Sequence, residues 1–264
     1  YLLKGVNLIR GSTLDVNDLR RKINDIKPNY IINLAALPLA VTAIKNTEEA
    51  FSSILQTTQN FLEIIRDLDF IDKYIHISSS MIYGDFEKSP NPENATKEPK
   101  EIYGSFKLAS EYLVKGYTKR YNFNSVIIRP SAVYGPTDNN YRVIQKFIEA
   151  IFEKKKLTVN KPKSNKLDFT YVKDLVKGIK LAAITKTDNL EIFNLTRGEG
   201  RTLQDVIDIL RKNLGDFNIE INDDTSFYPK RGALDISNAK LKLGYKPSFS
   251  LEDGIKDYIN FLKS

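Results

Sequence analysis

Two spacings of apolar residues alternate along this chain. Val16, Leu19, Ile23 and Ile26 recur at helical spacing behind Asp15, a capping residue, and Pro28 closes the pattern. The run Tyr30-Ile31-Ile32-Asn33-Leu34 then reads as a buried strand, followed by Ala35-Ala36. Ala50, Ile54, Thr57, Phe61 and Ile64 predict a helix over 47–66. A strand over 73–78, a Pro- and Asn-rich loop over 84–100, a helix over 103–121 and a strand over 125–129 follow. Upstream of these, Val6-Asn7-Leu8-Ile9 reads as a short strand.

Strands that are apolar on both faces and alternate with helices predict an α/β fold. The expected form is a doubly wound, Rossmann-like parallel sheet with helices on both sides. Ligands bind such sheets beyond the C-terminal ends of the strands. Ala35-Ala36, Ser78-Ser79-Ser80 and Arg129-Pro130-Ser131 all fall there. After residue 130 the pattern loosens. Helices are predicted over 141–153, 174–185 and 203–213, the last opened by a Thr202-x-x-Asp205 cap, and a final one from about 251. Strands are predicted near 168–172 and 191–195. The division expected is a dinucleotide-binding domain over 1–135, rejoined by 166–190, and a smaller, partly interleaved substrate domain over 136–165 and 191–264.

Composition narrows the chemistry. The 264 residues include no cysteine, which removes disulfides, thiolate metal sites and a Cys nucleophile, and fits the cytosol. A lone histidine, His76, lies mid-strand in an apolar run and reads as structural, and one histidine makes no metal cluster. No apolar run is long enough to span a bilayer, and Tyr1-Leu2-Leu3-Lys4-Gly5 lacks the features of a signal peptide. The net charge of +7 favours anionic partners, either nucleic acid or phosphorylated small molecules. The densest basic stretch, Lys154-Lys155-Lys156 through Lys161, Lys163 and Lys166, has no interleaved aromatics to stack on bases and reads as a solvated loop.

The most informative chemistry is Tyr103 and Lys107, four residues apart, with Ser78-Ser79-Ser80 at the end of the preceding strand. A phenol ionises near ~10 in water, and an ammonium one turn away favours the phenolate. A nearby hydroxyl can hold the oxygen that gains or loses the proton. Such a set suits proton transfer at a carbinol or carbonyl and points to oxidoreductase chemistry.

Further motifs occur in order: Asn33-Leu34-Ala35-Ala36, Ser78-Ser79-Ser80-Met81-Ile82-Tyr83-Gly84, Tyr103-Gly104-Ser105-Phe106-Lys107 and Arg129-Pro130-Ser131-Ala132-Val133-Tyr134-Gly135-Pro136. Leu167-Asp168-Phe169-Thr170-Tyr171, Phe193-Asn194-Leu195 and Leu243-Gly244-Tyr245-Lys246-Pro247 come later. The set resembles the nucleotide-sugar branch of the NAD-dependent epimerase/dehydratase family, extended short-chain dehydrogenase/reductases, from near residue 6 to the C-terminus. The resemblance implies catalytic roles for Ser79, Tyr103 and Lys107. It implies NAD as cofactor, with NADP open, and a nucleoside-diphosphate sugar as substrate. Leu34, Ala35, Ala36 and Leu37 would pass under the cofactor. Ser12, Thr13, Ser53, Ser78, Pro130 and Val133 would line it, with Tyr103 and Lys107 at the nicotinamide ribose. Ser80, Met81, Ala132, Arg142 and Arg231 would face the substrate, Arg231 at the diphosphate. Many members dimerise through the helices corresponding to 47–66 and 103–121, for which Phe51, Leu55, Leu62, Leu113 and Tyr117 could supply an apolar face, although core packing against the sheet explains some of them equally well.

Several positions depart from the family pattern. The family opens on a strand and a G-x-x-G-x-x-G turn that cradles pyrophosphate; Gly5 and Gly11 do not form it. The expectation is that an N-terminal βαβ unit lies outside this sequence; the alternative is a degenerate scaffold that binds no dinucleotide. Ser12 stands where Asp is frequent, Ala132 where Asn is, and Leu167 where an Arg would contact phosphate unless Lys166 or Arg142 substitutes. The dehydratases carry Asp-Glu where Ser80-Met81 stand, and neither residue here is an acid or base at neutral pH, which disfavours dehydration. The expected activity is epimerisation, most simply at C4. The alternatives are a keto-sugar reductase or dehydrogenase on the same residues, and a non-catalytic binding protein on a decayed scaffold.

Overall fold

In its first helix the chain follows its own signals. In the computed structural model, α1 spans Val16–Ile26, and the Asp15 carboxylate accepts the Asp18 N–H at 3.0 Å. The structure describes residues 4–37, 40–160, 162–163, 166–222 and 229–263. Tyr1–Leu3 and Lys161, both used in reading the sequence, lie outside the described residues.

After α1 come β1 (Tyr30–Asn33) and α2 (Ala40–Lys45). The helix predicted over 47–66 is α3 (Thr47–Ala50), a π-helical stretch (Phe51–Gln56) and α4 (Thr57–Ile65) end to end. β2 (Lys73–Ile77) leads into a 3-10 turn (Ser80–Tyr83), then α5 (Ile102–Tyr121) and β3 (Ser125–Arg129). The remainder runs β4 (Val133–Tyr134), α6 (Val143–Phe152), β5 (Leu157–Asn160), β6 (Lys166–Asp168), β7 (Thr170–Tyr171) and α7 (Val172–Ile184). It closes with β8 (Leu190–Asn194), β9 (Gly200–Thr202), α8 (Leu203–Leu214), β10 (Ile219–Asn222), α9 (Ser237–Leu243) and α10 (Leu251–Lys263).

The main sheet is parallel throughout, in the order β1-β2-β3-β8. Every residue of β2 and β3 is buried, because successive side chains feed two different cores. Tyr74 and Ile127 pack with Leu62, Ile65 and Val114 of α4 and α5. Ile75, Ile77, Val126 and Ile128 pack with Leu175 and Ala182 of α7 and with Ala239 and Leu243 of α9. Each fully buried aliphatic side chain contributes roughly 1.5–3 kcal/mol. A third core joins Phe147 and Ile148 of α6, Leu157 and Val159 of β5, Val206 and Leu210 of α8 and Ile255 and Ile259 of α10. β5 and β10 form a separate parallel pair beside it.

Four sequence expectations change. Val6–Ile9 is not a strand, and Val6 (57%) and Leu8 (62%) are exposed. A strand is stable only with a neighbour to receive its ladder, and among the described residues none pairs with this segment. β1 is not buried on both faces: among the described residues it is one of the two edge strands, with Ile31 and Asn33 inward and Tyr30 and Ile32 exposed. Of the two roles open to Leu62, a dimer face or core packing, it takes the core and is fully buried, whereas Phe51 and Tyr112 remain exposed on those helices. β8 is the fourth strand of the main sheet, so Glu191–Asn194 are sheet residues. Among the described residues, no helix is long and apolar enough to cross a membrane, and no cluster of His, Asp or Glu could hold a metal ion.

Candidate active site

β2 and β3 end side by side, and their C-terminal ends carry the residues of interest. The Ser78 N–H donates to the Ile128 carbonyl at 2.7 Å and the Ser80 N–H to that of Pro130 at 2.9 Å, so the two strand ends leave the sheet together. Ser79 caps the 3-10 turn, its Oγ accepting the Met81 N–H at 3.2 Å. Tyr103 lies in the first turn of α5, and its phenol is near enough to Ser79 for that hydroxyl to act on its ionisation. The positive end of the helix favours a phenolate there. Gly104 makes the approach possible: a Cβ on it would sit 2.7 Å from the Met81 carbonyl oxygen.

Electrostatics divide differently from the simple tyrosine–lysine picture. Burial raises the Tyr103 pKa, while the Arg142 charge and the Ser79 hydroxyl pull it back. Lys107 is buried, donates to the Ile77 carbonyl at 2.8 Å, and holds its Nζ 5.9 Å from the centre of the Tyr103 ring. Burial brings its pKa down to about 8, and the nearby Glu111 carboxylate acts in the other direction. Arg142, at the N-cap of α6, lies 3.8 Å from Asp138. His76 is buried, pairs with Ser110 Oγ at 2.9 Å, and is held well below its usual pKa by burial and by Lys107. Its Nδ1 is buried without a partner.

A second feature opens beside the turn. A cavity of about 330 Å³ is lined by Lys146 and Phe147 of α6, the β5 residues Thr158–Asn160, Lys166, Leu167, Leu203 and Arg231. Arg231 donates through Nη1 to Met81 Sδ at 3.5 Å, and its buried Nε has no hydrogen-bond partner. Burial lowers its pKa to about 10, with Glu101 opposing, so it is a cation at neutral pH. Met81 thus joins this cation to the turn that carries Ser79. Lys146 and Lys166 place positive charge on the cavity that Leu167 also lines. Lys166 therefore belongs to a cavity wall and not only to a solvated loop.

The remaining sequence candidates fall into a separate group. The Ala35 N–H is held by Asn33 Oδ1 at 3.1 Å and the Leu37 N–H by Ser53 Oγ at 3.0 Å, the serine coming from the π-helical stretch. Leu34 is 65% exposed and Ala36 half-buried. Thr13 Oγ1 meets Thr57 Oγ1 at 3.0 Å and the Thr13 carbonyl accepts from Asn60, which packs the Ser12–Thr13 segment on α4. Val133 and Arg142 line one further hollow. Ser78 does not face outward: it is buried and donates to Glu111 at 2.6 Å. Glu111, Lys146 and Asp168 were not singled out from sequence, although Glu111 stands one turn beyond Lys107, a spacing that could have flagged it.

The model of the NAD-dependent epimerase/dehydratase family matches residues 2–196. The chain belongs to this family. A Bacillus subtilis protein described as an uncharacterized UDP-glucose epimerase, YtcB, is 30% identical over 239 residues, covering 89% of this chain and 75% of its own. The UDP-glucuronate 4-epimerase of Thermodesulfobacterium geofontis is 28% identical over 237 residues, covering 88% of this chain and 72% of its own. A UDP-glucuronic acid 4-epimerase from Bacillus cereus, solved with UDP-glucuronic acid and NAD, superposes with a TM-score of 0.91 at 29% identity, over 99% of this chain and 84% of its own. Ala132 is one of the non-glycine residues with a positive φ. It holds φ 37°, a left-handed conformation that costs an alanine on the order of 1 kcal/mol and that asparagine tolerates better.

Proposed function

We propose that this protein is an NAD-dependent epimerase of nucleoside-diphosphate sugars, acting at C4. The observation that carries the reading is the linkage of two sites. The Ser79–Tyr103 pair supplies proton transfer, and Arg231, joined to the same turn through Met81, supplies a cation in a cavity with two lysines. A buried guanidinium with an unpartnered Nε suits a diphosphate, which accepts paired charge-assisted bonds. The relatives named as UDP-sugar epimerases support the same substrate class.

The residues present fit the nicotinamide half of the cofactor. The Lys107 ammonium has three N–H donors, of which the Ile77 carbonyl takes one, leaving donors for ribose hydroxyls. When bound, the cofactor supplies a hydride acceptor that also returns the hydride. Ser12, Thr13, Leu34–Leu37, Ser53, Pro130 and Val133 are proposed for its surroundings, while Ser78 is turned inward to Glu111. Tyr103 would take the proton of the C4 hydroxyl and return it, while Ser79 Oγ holds the same oxygen. Arg231 would hold the diphosphate as a pivot while the sugar presents its other face, with Ser80, Met81, Ala132 and Arg142 around the sugar. Ser80 and Met81 offer no acid or base for elimination. In this reading residues 1–135 and 166–190 serve the cofactor together with the sheet residues Glu191–Asn194, 136–165 and the rest of 191–264 serve the substrate, and Phe51 and Tyr112 mark a homodimer face.

The test is turnover of the full-length protein and its Tyr103→Phe variant with UDP-glucose and UDP-glucuronate, following sugar identity by NMR and nicotinamide absorbance. Epimerised product with no net nicotinamide reduction, and a loss of about 10²-fold or more in the variant, is expected. Near-normal turnover in Tyr103→Phe would overturn the assignment, and stoichiometric consumption of reduced cofactor would make the protein a reductase.

A further inference from the structure

We propose that Glu111 is a positioning residue for the Ser79–Tyr103–Lys107 group, tying the Ser79 turn to α5 and supplying the counter-charge to Lys107. The inference rests on the epimerase reading given above. Glu111 is fully buried, one helical turn after Lys107 and two after Tyr103. Its Oε1 accepts from Ser78 Oγ at 2.6 Å and from Arg129 Nε at 2.8 Å, and its Oε2 from Arg129 Nη2 at 2.7 Å. Arg129, also fully buried, uses Nη1 on the Tyr83 hydroxyl at 2.8 Å and on the Glu93 carbonyl at 2.7 Å.

The consequence lies in where those partners sit. Ser78 immediately precedes Ser79, and Tyr83 ends the 3-10 turn that Ser79 caps. The Glu111–Arg129 pair therefore grips both ends of the turn bearing the catalytic serine. Its Glu111 half stands on the helix that bears the catalytic tyrosine and lysine, and its Arg129 half on β3. A bidentate pair fixes direction as well as distance, so the two halves of the site cannot slide past each other without breaking four buried hydrogen bonds to charged groups.

The second role follows from charge. Four cations surround this one carboxylate: Lys107 and Lys115 on α5, Arg129 on β3, and Lys97 in the preceding loop. Lys115 Nζ lies 3.8 Å from Oε2. From the loop Glu93 faces Arg129, and the Tyr83 phenol is held neutral, its pKa pushed up to about 12 chiefly by burial. From β2, His76 faces Lys107 and stays neutral. Burial works against the Lys107 cation and Glu111 works for it. Without that carboxylate Lys107 gives up its proton at lower pH.

The experiment compares wild-type, Glu111→Gln, Glu111→Asp and Ser78→Ala as full-length proteins, with the nucleotide sugar the wild-type turns over. Three readouts are taken: the pH profile of kcat, KM, and the titration of Lys107 by NMR in protein carrying carbon-labelled lysine. Glu111→Gln is expected to move the alkaline limb and the Lys107 midpoint down by about one pH unit, a tenfold change in the Lys107 equilibrium. Ser78→Ala and Glu111→Asp keep the charge, so both should lose kcat about tenfold with the alkaline limb in place and KM within about twofold. A Glu111→Gln protein with the wild-type limb and midpoint, or a Ser78→Ala protein with wild-type kcat, overturns the proposal. Should Glu111→Gln fail to fold, Ser78→Ala and Glu111→Asp decide the tether by the same criterion. The Lys107 titration needs no turnover, so a wild-type protein inactive on every nucleotide sugar would sink the epimerase reading and leave the charge role separately testable.

Discussion

Replacing Gly104 by alanine tests how closely the two halves of the site must approach. Gly104 follows Tyr103 in the first turn of α5, and a Cβ there would lie 2.7 Å from the Met81 carbonyl oxygen and 2.9 Å from Pro99 Cβ. Ordinary contact begins at 3.4 Å, so the gap must widen by 3.4 − 2.7, about 0.7 Å. The nearest atom is backbone, in the turn that holds Ser79, and cannot rotate aside. Two effects on stability compete. Alanine favours the helix by about 1 kcal/mol. Overpacking costs about 1–3 kcal/mol, so the net change is a loss of about 0–2 kcal/mol. The effect on catalysis is larger. A shift of about 0.7 Å moves Tyr103 relative to the turn that holds Ser79, and a misplacement near 1 Å costs on the order of 10²-fold in rate. Expected is a kcat lowered about 10- to 100-fold, read by NMR of the sugar product, with chemical denaturation reporting stability. Gly116→Ala is the control: it lies on the same helix with nothing within 4 Å of its built Cβ. That variant should gain about 0.5–1 kcal/mol and keep full activity. If Gly104→Ala matched Gly116→Ala in both measurements, the close-approach argument would be wrong.

Two further outcomes follow from buried charge. Arg231→Gln removes a cation with an unpartnered Nε, so the ligand-free protein should hold or gain thermal stability while KM for the nucleotide sugar rises about 10- to 100-fold, and a lower melting temperature with unchanged KM would contradict this. Asp168 is fully buried and accepts from Leu234 N at 2.9 Å, Thr196 Oγ1 at 2.8 Å and Gly198 N at 3.1 Å, yet burial still pushes its pKa up to about 6 from 3.8. Because the folded value lies above the unfolded one, this contribution is fully present below pH 3.8 and fades as the pH rises through about 6, by about 3 kcal/mol in all. The stability of wild-type minus Asp168→Asn, from urea denaturation at a series of pH values, should fall across that window, and a flat difference would refute the assignment.

Local signals were legible wherever the chemistry was local. Asp15 before Val16 and the Thr202–Asp205 box each start the helix their residue types demand, the latter with both reciprocal bonds formed. The strand at 125–129 falls on its predicted residues because β-branched residues crowd a fully buried position. Signals that need a distant partner were not legible. β5 runs out of the lysine-rich stretch and becomes a strand only because β10, some sixty residues on, pairs with it in parallel register. Val6–Ile9 has strand composition and no partner among the described residues, so composition alone misled. The π-helical stretch at Phe51–Gln56, which presents Ser53 to the Leu37 N–H, has no spacing that announces it.

The same boundary runs through the site. The sequence by itself determined the chemical inventory: a phenol, an ammonium one turn on, a serine at a strand end, a late arginine, no cysteine, and a single histidine set mid-strand. Residue identity and short spacing carry that information, because they decide which protons and charges exist. Only the tertiary structure decided how those groups act on one another. It buried the Tyr103 phenol so that its pKa rises, with Arg142 rather than Lys107 opposing, turned Ser78 inward to Glu111, and coupled Arg231 to the Ser79 turn through Met81. Burial and through-space distance govern pKa and hydrogen bonding. Both are set by which distant segments pack together, a property that no window of the sequence contains.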